Sequence, residues 1–209
     1  MGCIVGRNAA QCSHVFEGEA LDGHSRQHHR ASRLAVGDLG LPKIRSLCEI
    51  ADAVRGGRSS AVAQVAASLD RIRVGDAAIG AVTTLLAERA LAMAAVLDAK
   101  IAAGEEPGPL AGVPFGVKAL FDIEGLPTTA GAAMRQNAPP ATADAALVRA
   151  LCAAGAIPVA VLNMDEFAYG FVTVNAHYGT THNPYDLARL AGGSSGRSEE
   201  RRVGKECRL

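Results

Sequence analysis

The sequence has no tryptophan, only three Tyr and five Phe, and no excess of either charge, since 21 Lys and Arg balance 21 Asp and Glu. A balanced chain has no electrostatic footprint for nucleic acid or for an anionic membrane surface. Its cysteines, Cys3, Cys12, Cys48, Cys152 and Cys207, are odd in number and lack CxxC spacing. That argues against a disulfide framework and a structural zinc site, and it fits a reducing cytoplasm. No apolar run reaches the roughly 18 residues of a membrane span, and the N-terminus lacks the basic, apolar, small-residue order of a secretory signal. What is present is a 209-residue chain, 49% hydrophobic and 20% charged, enough for a sizeable core of mostly Ala, Val and Leu. Length alone leaves open one large domain or one and a half.

Residues 1–40 show neither helical nor strand periodicity and hold four of the six histidines, so they are expected to be a disordered or misassigned extension. His24 and His28 stand at i,i+4, but no carboxylate or cysteine lies nearby, and no metal site is expected. From Leu47 the pattern changes. "LCEIADAVRGG" puts Leu47, Ile50, Ala51 and Val54 on one helical face before a Gly-Gly stop. "SSAVAQVAASLDRIRVGD" predicts a second helix with Ser59 or Ser60 as N-cap and Val62, Val65, Ala66, Leu69 and Ile72 as its stripe. A third is predicted over 84–103, ending at Gly104. In "GPLAGVPFGVKALFDIEGLPTTAGA", short apolar runs broken by Gly and Pro imply buried strands and tight loops. A helix over 142–155, capped by Thr142 and Gly155, then leads into a buried parallel strand over 156–163. Strand, helix, strand makes a βαβ unit, so the fold class is α/β.

Two places bear chemistry. Lys118 ends the apolar run "AGVPFGVKALF", and buried lysines are rare without a partner. Lowering such an amine from about 10.4 towards 7 takes roughly 4 to 5 kcal/mol of differential interaction and yields a general base. The other reading is a strand-end lysine that extends its amine into water. Ser194 and Ser195 lie in "GGSSG". This formally matches G-x-S-x-G, but no strand is read before it and no His follows His182, so the nucleophile-elbow reading fails. No Gly-Lys-Ser/Thr follows either, which removes the phosphate-loop reading. A flexible linker remains open for the bare motif.

Five ordered stretches together resemble the amidase signature family: "GPLAGVPFGVKALFDIEGLPTTAGA", "PPATADAALVRALCAAGAI", "LNMDEFAYGF", "NAHYGTTHNPYD" and "AGGSSG". The resemblance covers about residues 47–196 and implies the N-terminal part of that fold, a mixed central sheet flanked by helices. It also implies a Ser-cisSer-Lys triad that hydrolyses amides without a cofactor. Lys118 matches the catalytic lysine and Ser194 the serine in a cis peptide that relays a proton to it. The attacking serine is implied some two dozen residues after Ser194, in a D-x-G-G-S-like turn that also forms the oxyanion hole. The sequence as given stops short of that turn, so a truncated and inactive fragment is expected. Phe167, Tyr169, Thr173 and Ser195 are the implied substrate contacts, while Asp165 or Glu166 is expected to cap a short helix. Relatives carry Thr-Glu-Asn where this chain has Thr173-Val174-Asn175, which puts one polar contact in doubt.

"NMDEFAYGF" and "NAHYG" look most like the 1-carboxybiuret hydrolase group, with the A subunit of the aminoacyl-tRNA amidotransferases as the alternative. Either implies a small helical partner subunit. A non-catalytic α/β binding module is the reading outside enzymes. After Gly196 the composition breaks: eight of the thirteen residues 197–209 are charged. Such a tail cannot replace a buried helix, because each unpaired buried charge costs several kcal/mol. "RSEERRVGKEC" resembles a translated sequencing adapter, so three segments are expected: the 1–40 extension, the 41–196 amidase portion and a non-native 197–209 tail.

Overall fold

Ser46 starts the first helix through a reciprocal pair of bonds: its Oγ accepts the Glu49 N–H at 3.2 Å, and its own N–H donates to Glu49 Oε2 at 2.7 Å. This capping box satisfies two of the donors that a helix start leaves without partners. The computed structural model describes residues 46–195; the 1–40 extension with His24 and His28, and the 197–209 tail, lie outside the described residues. Helix α1 (Leu47–Arg55) stops at Gly56 and buries Ile50, Ala51, Ala53 and Val54. Leu47, expected on that face, is half exposed in the first turn, and Ala53 is buried instead.

Ser60, one of the two expected caps, starts α2 (Ala61–Ile79) by accepting the Ala63 N–H. The Asp98 carboxylate accepts from Ala61 and Val62 N–H at 2.7 and 3.1 Å, placing negative charge at the helix's positive end. Val65 and Leu69 are fully buried, with Val62, Ala66 and Ile72 partly so. Gly80 ends α2 at φ +67°, and a Cβ there would lie 2.6 Å from the Thr180 carbonyl oxygen, so both conformation and space require glycine.

The third helix differs from expectation. Val82–Leu85 forms strand β1, and α3 (Ala87–Ala102) begins only after it. Val82, Thr83 and Thr84 are β-branched and favour extended backbone; pairing with a distant strand then supplies a ladder that helical periodicity cannot reveal. β2 (Pro114–Lys118), α4 (Ala146–Ala153) and β3 (Ile157–Leu162) form the expected βαβ unit, with β2 parallel to β3. β1 joins β3 antiparallel, giving the mixed order β1-β3-β2. α4 starts four residues later than expected, and Thr142 does not cap it: the cap residue is Ala145, with no side-chain bond. Gly155, at φ +93°, is the turn beyond the helix's end.

The core lies between α2, α3 and β3, where Val54, Val65, Leu69, Ile157 and Val159 close around Ala61, Ala90, Ala94, Ala111 and Ala160. The alanines allow close approach of the helices to the sheet. Beyond β3 the described residues form short antiparallel pairs, β4 (Val174–Asn175) with β5 (Gly179–Thr180) and β6 (His182–Asn183) with β7 (Asp186–Leu190). They carry the chain back to the end of β2.

Candidate active site

Lys118 is the last residue of β2, and its backbone is fixed by register: it pairs with Leu162, whose carbonyl then accepts the Ala119 N–H at 3.1 Å. The partly buried Lys118 side chain donates from Nζ to Ser194 Oγ at 2.9 Å, across 76 residues of sequence. The Gly193–Ser194 peptide is cis, the conformation the resemblance implied. Ser194 stands in a loop held on both sides. The Ala191 N–H donates to the Thr181 carbonyl, the Ser194 carbonyl accepts the Asp165 N–H at 3.2 Å, and Ser195 bridges Met164. Ala191 and Gly193 are buried, so residues 192–195 are no free linker in this fold.

Buried polar side chains organise the surrounding loops. Asn163 donates to the carbonyl oxygens of Gly80 and Gly179 and to Thr181 Oγ1, while its Oδ1 accepts the Met164 N–H. Asn175 donates to the Gly131 and Met164 carbonyls at 2.7 and 3.0 Å and accepts from His177 and Tyr178 N–H. Each therefore uses donor and acceptor ends of its amide, the condition for burying such a group without a large penalty. Among the described residues, the non-glycine positions Ala130, Phe167, Ala168 and Thr173 adopt positive φ, in the loops and the short helical turn next to this network. Ala130 links them to the lysine strand, since its N–H donates to the Ala119 carbonyl and its carbonyl accepts the Phe167 N–H. Backbone held in such regions persists where surroundings over-determine it, and it clusters at functional sites.

The expected substrate contacts fall in different places. Phe167 and Tyr169 are 51% and 95% exposed, on the stretch between Asp165 and Thr173. Ser195 is partly buried beside Met164. Thr173, another expected substrate contact, is fully buried, and its hydroxyl donates to the Gly192 carbonyl at 2.8 Å. Neither acid caps the Glu166–Ala168 turn, which has no side-chain cap. The Asp165 carboxylate accepts from Val172 and Val174 N–H instead. Val174, at the departure from Thr-Glu-Asn, is 51% exposed. Sequence reasoning missed Asn163, Asn175 and Thr181; the signal was their polarity next to the apolar run of β3 and in the following loops.

Asp144 anchors the loop that follows Lys118. Its carboxylate accepts from the two terminal nitrogens of the Arg89 guanidinium and from the Glu124 N–H. The bond from Arg89 is the main reason its carboxyl is held below the ordinary aspartate range, and the same bond raises the Arg89 guanidinium. Burial pushes the Cys152 thiol up, away from nucleophilic character. Among the described residues no group of three His, Cys, Asp or Glu is placed to hold a metal ion, and no helix is long and apolar enough to cross a membrane.

The Amidase family model matches residues 63–198. The AtzE subunit of 1-carboxybiuret hydrolase from Pseudomonas sp. (strain ADP) is 51% identical over 150 residues, which are 72% of this chain and 33% of that protein. The A subunit of the glutamyl-tRNA(Gln) amidotransferase of Salinispora arenicola (strain CNS-205) is 45% identical over 73% of this chain and 31% of its own length. Among solved structures, a vestigial protein complex bearing on the origins of an s-triazine catabolic enzyme superposes with TM-score 0.72 at 50% identity, over 73% of this chain and 33% of that one. A bacterial aryl acylamidase of the amidase signature enzymes gives 0.70 at 30% identity, over 73% and 32%. The chain thus spans about a third of the length of the relatives it matches.

Proposed function

From the premise that this chain belongs to the amidase signature family, we propose that it carries the base and relay of an amidohydrolase acting on a small linear amide of the carboxybiuret kind. The observation that carries this reading is the Lys118 Nζ to Ser194 Oγ bond of 2.9 Å. A neutral Lys118 accepts the Ser194 hydroxyl proton while Ser194 Oγ takes the proton of an attacking hydroxyl, so the nucleophile is activated without histidine. Attack on the amide carbonyl forms the C–O bond, and collapse breaks the C–N bond. The same proton returns through Ser194 to the leaving nitrogen, and water then releases the acyl group by the same relay.

The described residues supply base and relay, and the attacking hydroxyl is assigned to none of them. By this reading the 209-residue chain alone releases no ammonia. Phe167, Tyr169 and Ser195 form part of the substrate wall, and Thr173 contributes through the loop that it holds. A cytoplasmic setting and a small helical partner subunit belong to the same proposal, the partner being supported by a similar structure solved as a protein complex. The alternative is glutamine amide hydrolysis as the A subunit of an amidotransferase, supported by the 45% identity to such a protein.

The test joins residues 46–195 to the remaining two thirds of the related AtzE protein and measures ammonia release from biuret-type amides. Lys118→Ala is expected to lower kcat by about 10²- to 10⁴-fold, the range for loss of a general base. Undiminished activity in that variant overturns the assignment. Ammonia release from glutamine but not from biuret-type amides selects the alternative.

A further inference from the structure

Asp165 is a buried carboxylate that the base-and-relay reading leaves without a role. It is 4% exposed. Oδ2 accepts the Val172 N–H and Oδ1 the Val174 N–H, both at 3.2 Å. Between these two donors sits Thr173 at φ +51°, the turn that brings both N–H groups to one carboxylate. Backbone concavities of this type favour an anion. The grip reaches the relay serine at two points. Asp165 holds the Ser194 carbonyl through its own N–H, and Thr173 holds the Gly192 carbonyl through its hydroxyl. Gly193 lies between, packed so closely that a Cβ would overlap Asp165 Oδ2 and come 2.5 Å from Val172 N.

We propose that Asp165 is a positioning residue that sets Ser194 Oγ against Lys118 by clamping the 172–174 turn onto the Gly192–Ser194 loop. This rests on the reading of Lys118 and Ser194 as a base and relay pair. The role needs a carboxylate and not merely a polar group: both oxygens face N–H donors, so an asparagine of the same shape would turn its NH₂ towards one of them. Loss of either anchor frees the loop that carries Ser194. The Lys118 backbone, held by β3, does not depend on it.

The experiment follows acylation of Lys118 by acetic anhydride in the 209-residue chain, as a pH profile, with exposed Lys100 as internal reference. Amide hydrogen exchange of β2 and β3 reports the fold. Ser194→Ala is expected to change the Lys118 rate about threefold at a fixed pH below its midpoint, as a half-unit move in pKa does. Asp165→Asn is expected to follow it in the same direction with β2–β3 exchange unchanged. Gly170→Ala is a second route, because a Cβ there would lie 2.5 Å from Asp165 Cγ and displace the carboxylate; it decides the matter where Asp165→Asn does not fold. A profile that moves in Ser194→Ala but stays at wild type in the folded Asp165 or Gly170 variant overturns the positioning role and leaves the pair standing. A profile unmoved by Ser194→Ala overturns the pair, and the positioning role with it.

Discussion

Between α2 and β3 the interior is Val65, Leu69, Ala90, Ala94, Ile157 and Val159, whereas from 163 to 181 the buried side chains include Asn163, Asp165, Thr173, Asn175 and Thr181. Five of the six buried polar or charged residues among the described ones belong to that second stretch. The first region gains from removing apolar surface from water, a force without direction that tolerates small shifts. Hydrogen bonds hold the second, and they demand particular distances and angles. A site that must hold two side-chain atoms 2.9 Å apart is thus built where direction is enforced. The sheet's role is to supply the rigid end of β2 on which Lys118 stands.

This contrast can be tested region by region. The largest effect on stability is expected in the apolar body: Leu69→Ala removes a fully buried side chain and should cost about 3 kcal/mol. Chemical denaturation should show the loss, with all segments opening together. Loss confined to the 163–195 stretch would break the contrast.

Asn175→Ala is expected to cost about 2 kcal/mol, because it strips bonds from the buried Gly131 and Met164 carbonyls and from two N–H groups. Its distinguishing sign is local, with faster hydrogen exchange at Tyr178 and Asp165, whose N–H groups donate to Asn175 and to the Ser194 carbonyl, while Val159 and Val161 keep wild-type protection. Equal acceleration in both regions would show that the polar loops share the body's cooperativity.

The smallest effect concerns pH. The Asp144 carboxyl is depressed in the fold by Arg89, so its contribution is complete above the unfolded aspartate value, about 4, and is lost as pH falls through the lower folded value. A loss of about 1 kcal/mol is expected, since Arg89 is partly open to solvent. Asp144→Asn should remove that part of the acid slope. A slope unchanged in the variant would assign the acid sensitivity to other carboxylates.

The start of α2 was legible because caps act within one turn: Ser60 is followed three residues later by the N–H it accepts, whereas Thr142 does not cap α4. The βαβ unit was legible because its run lengths and Gly155 stop are local. β1 was hidden, since four residues beside a long Ala-rich helix become a strand only by pairing with Val161 and Leu162. The residues alone made Lys118 and Ser194 candidates but left a solvated lysine and a linker open, and their roles came from the resemblance. Nothing local marks Thr173 as a left-handed buried anchor, because its conformation answers to Asp165 and Gly192.

The sequence by itself determined the Ser60 cap of α2, most of the apolar stripes of α1 and α2 and the α/β class, all consequences of bonds and periodicities spanning a few residues. Only the tertiary structure decided that β1 is a strand, that Asp165 accepts from the 172–174 turn and that Lys118 meets Ser194. Those outcomes depend on partners distant in the chain, whose bonds exist only once the apolar core has fixed the sheet.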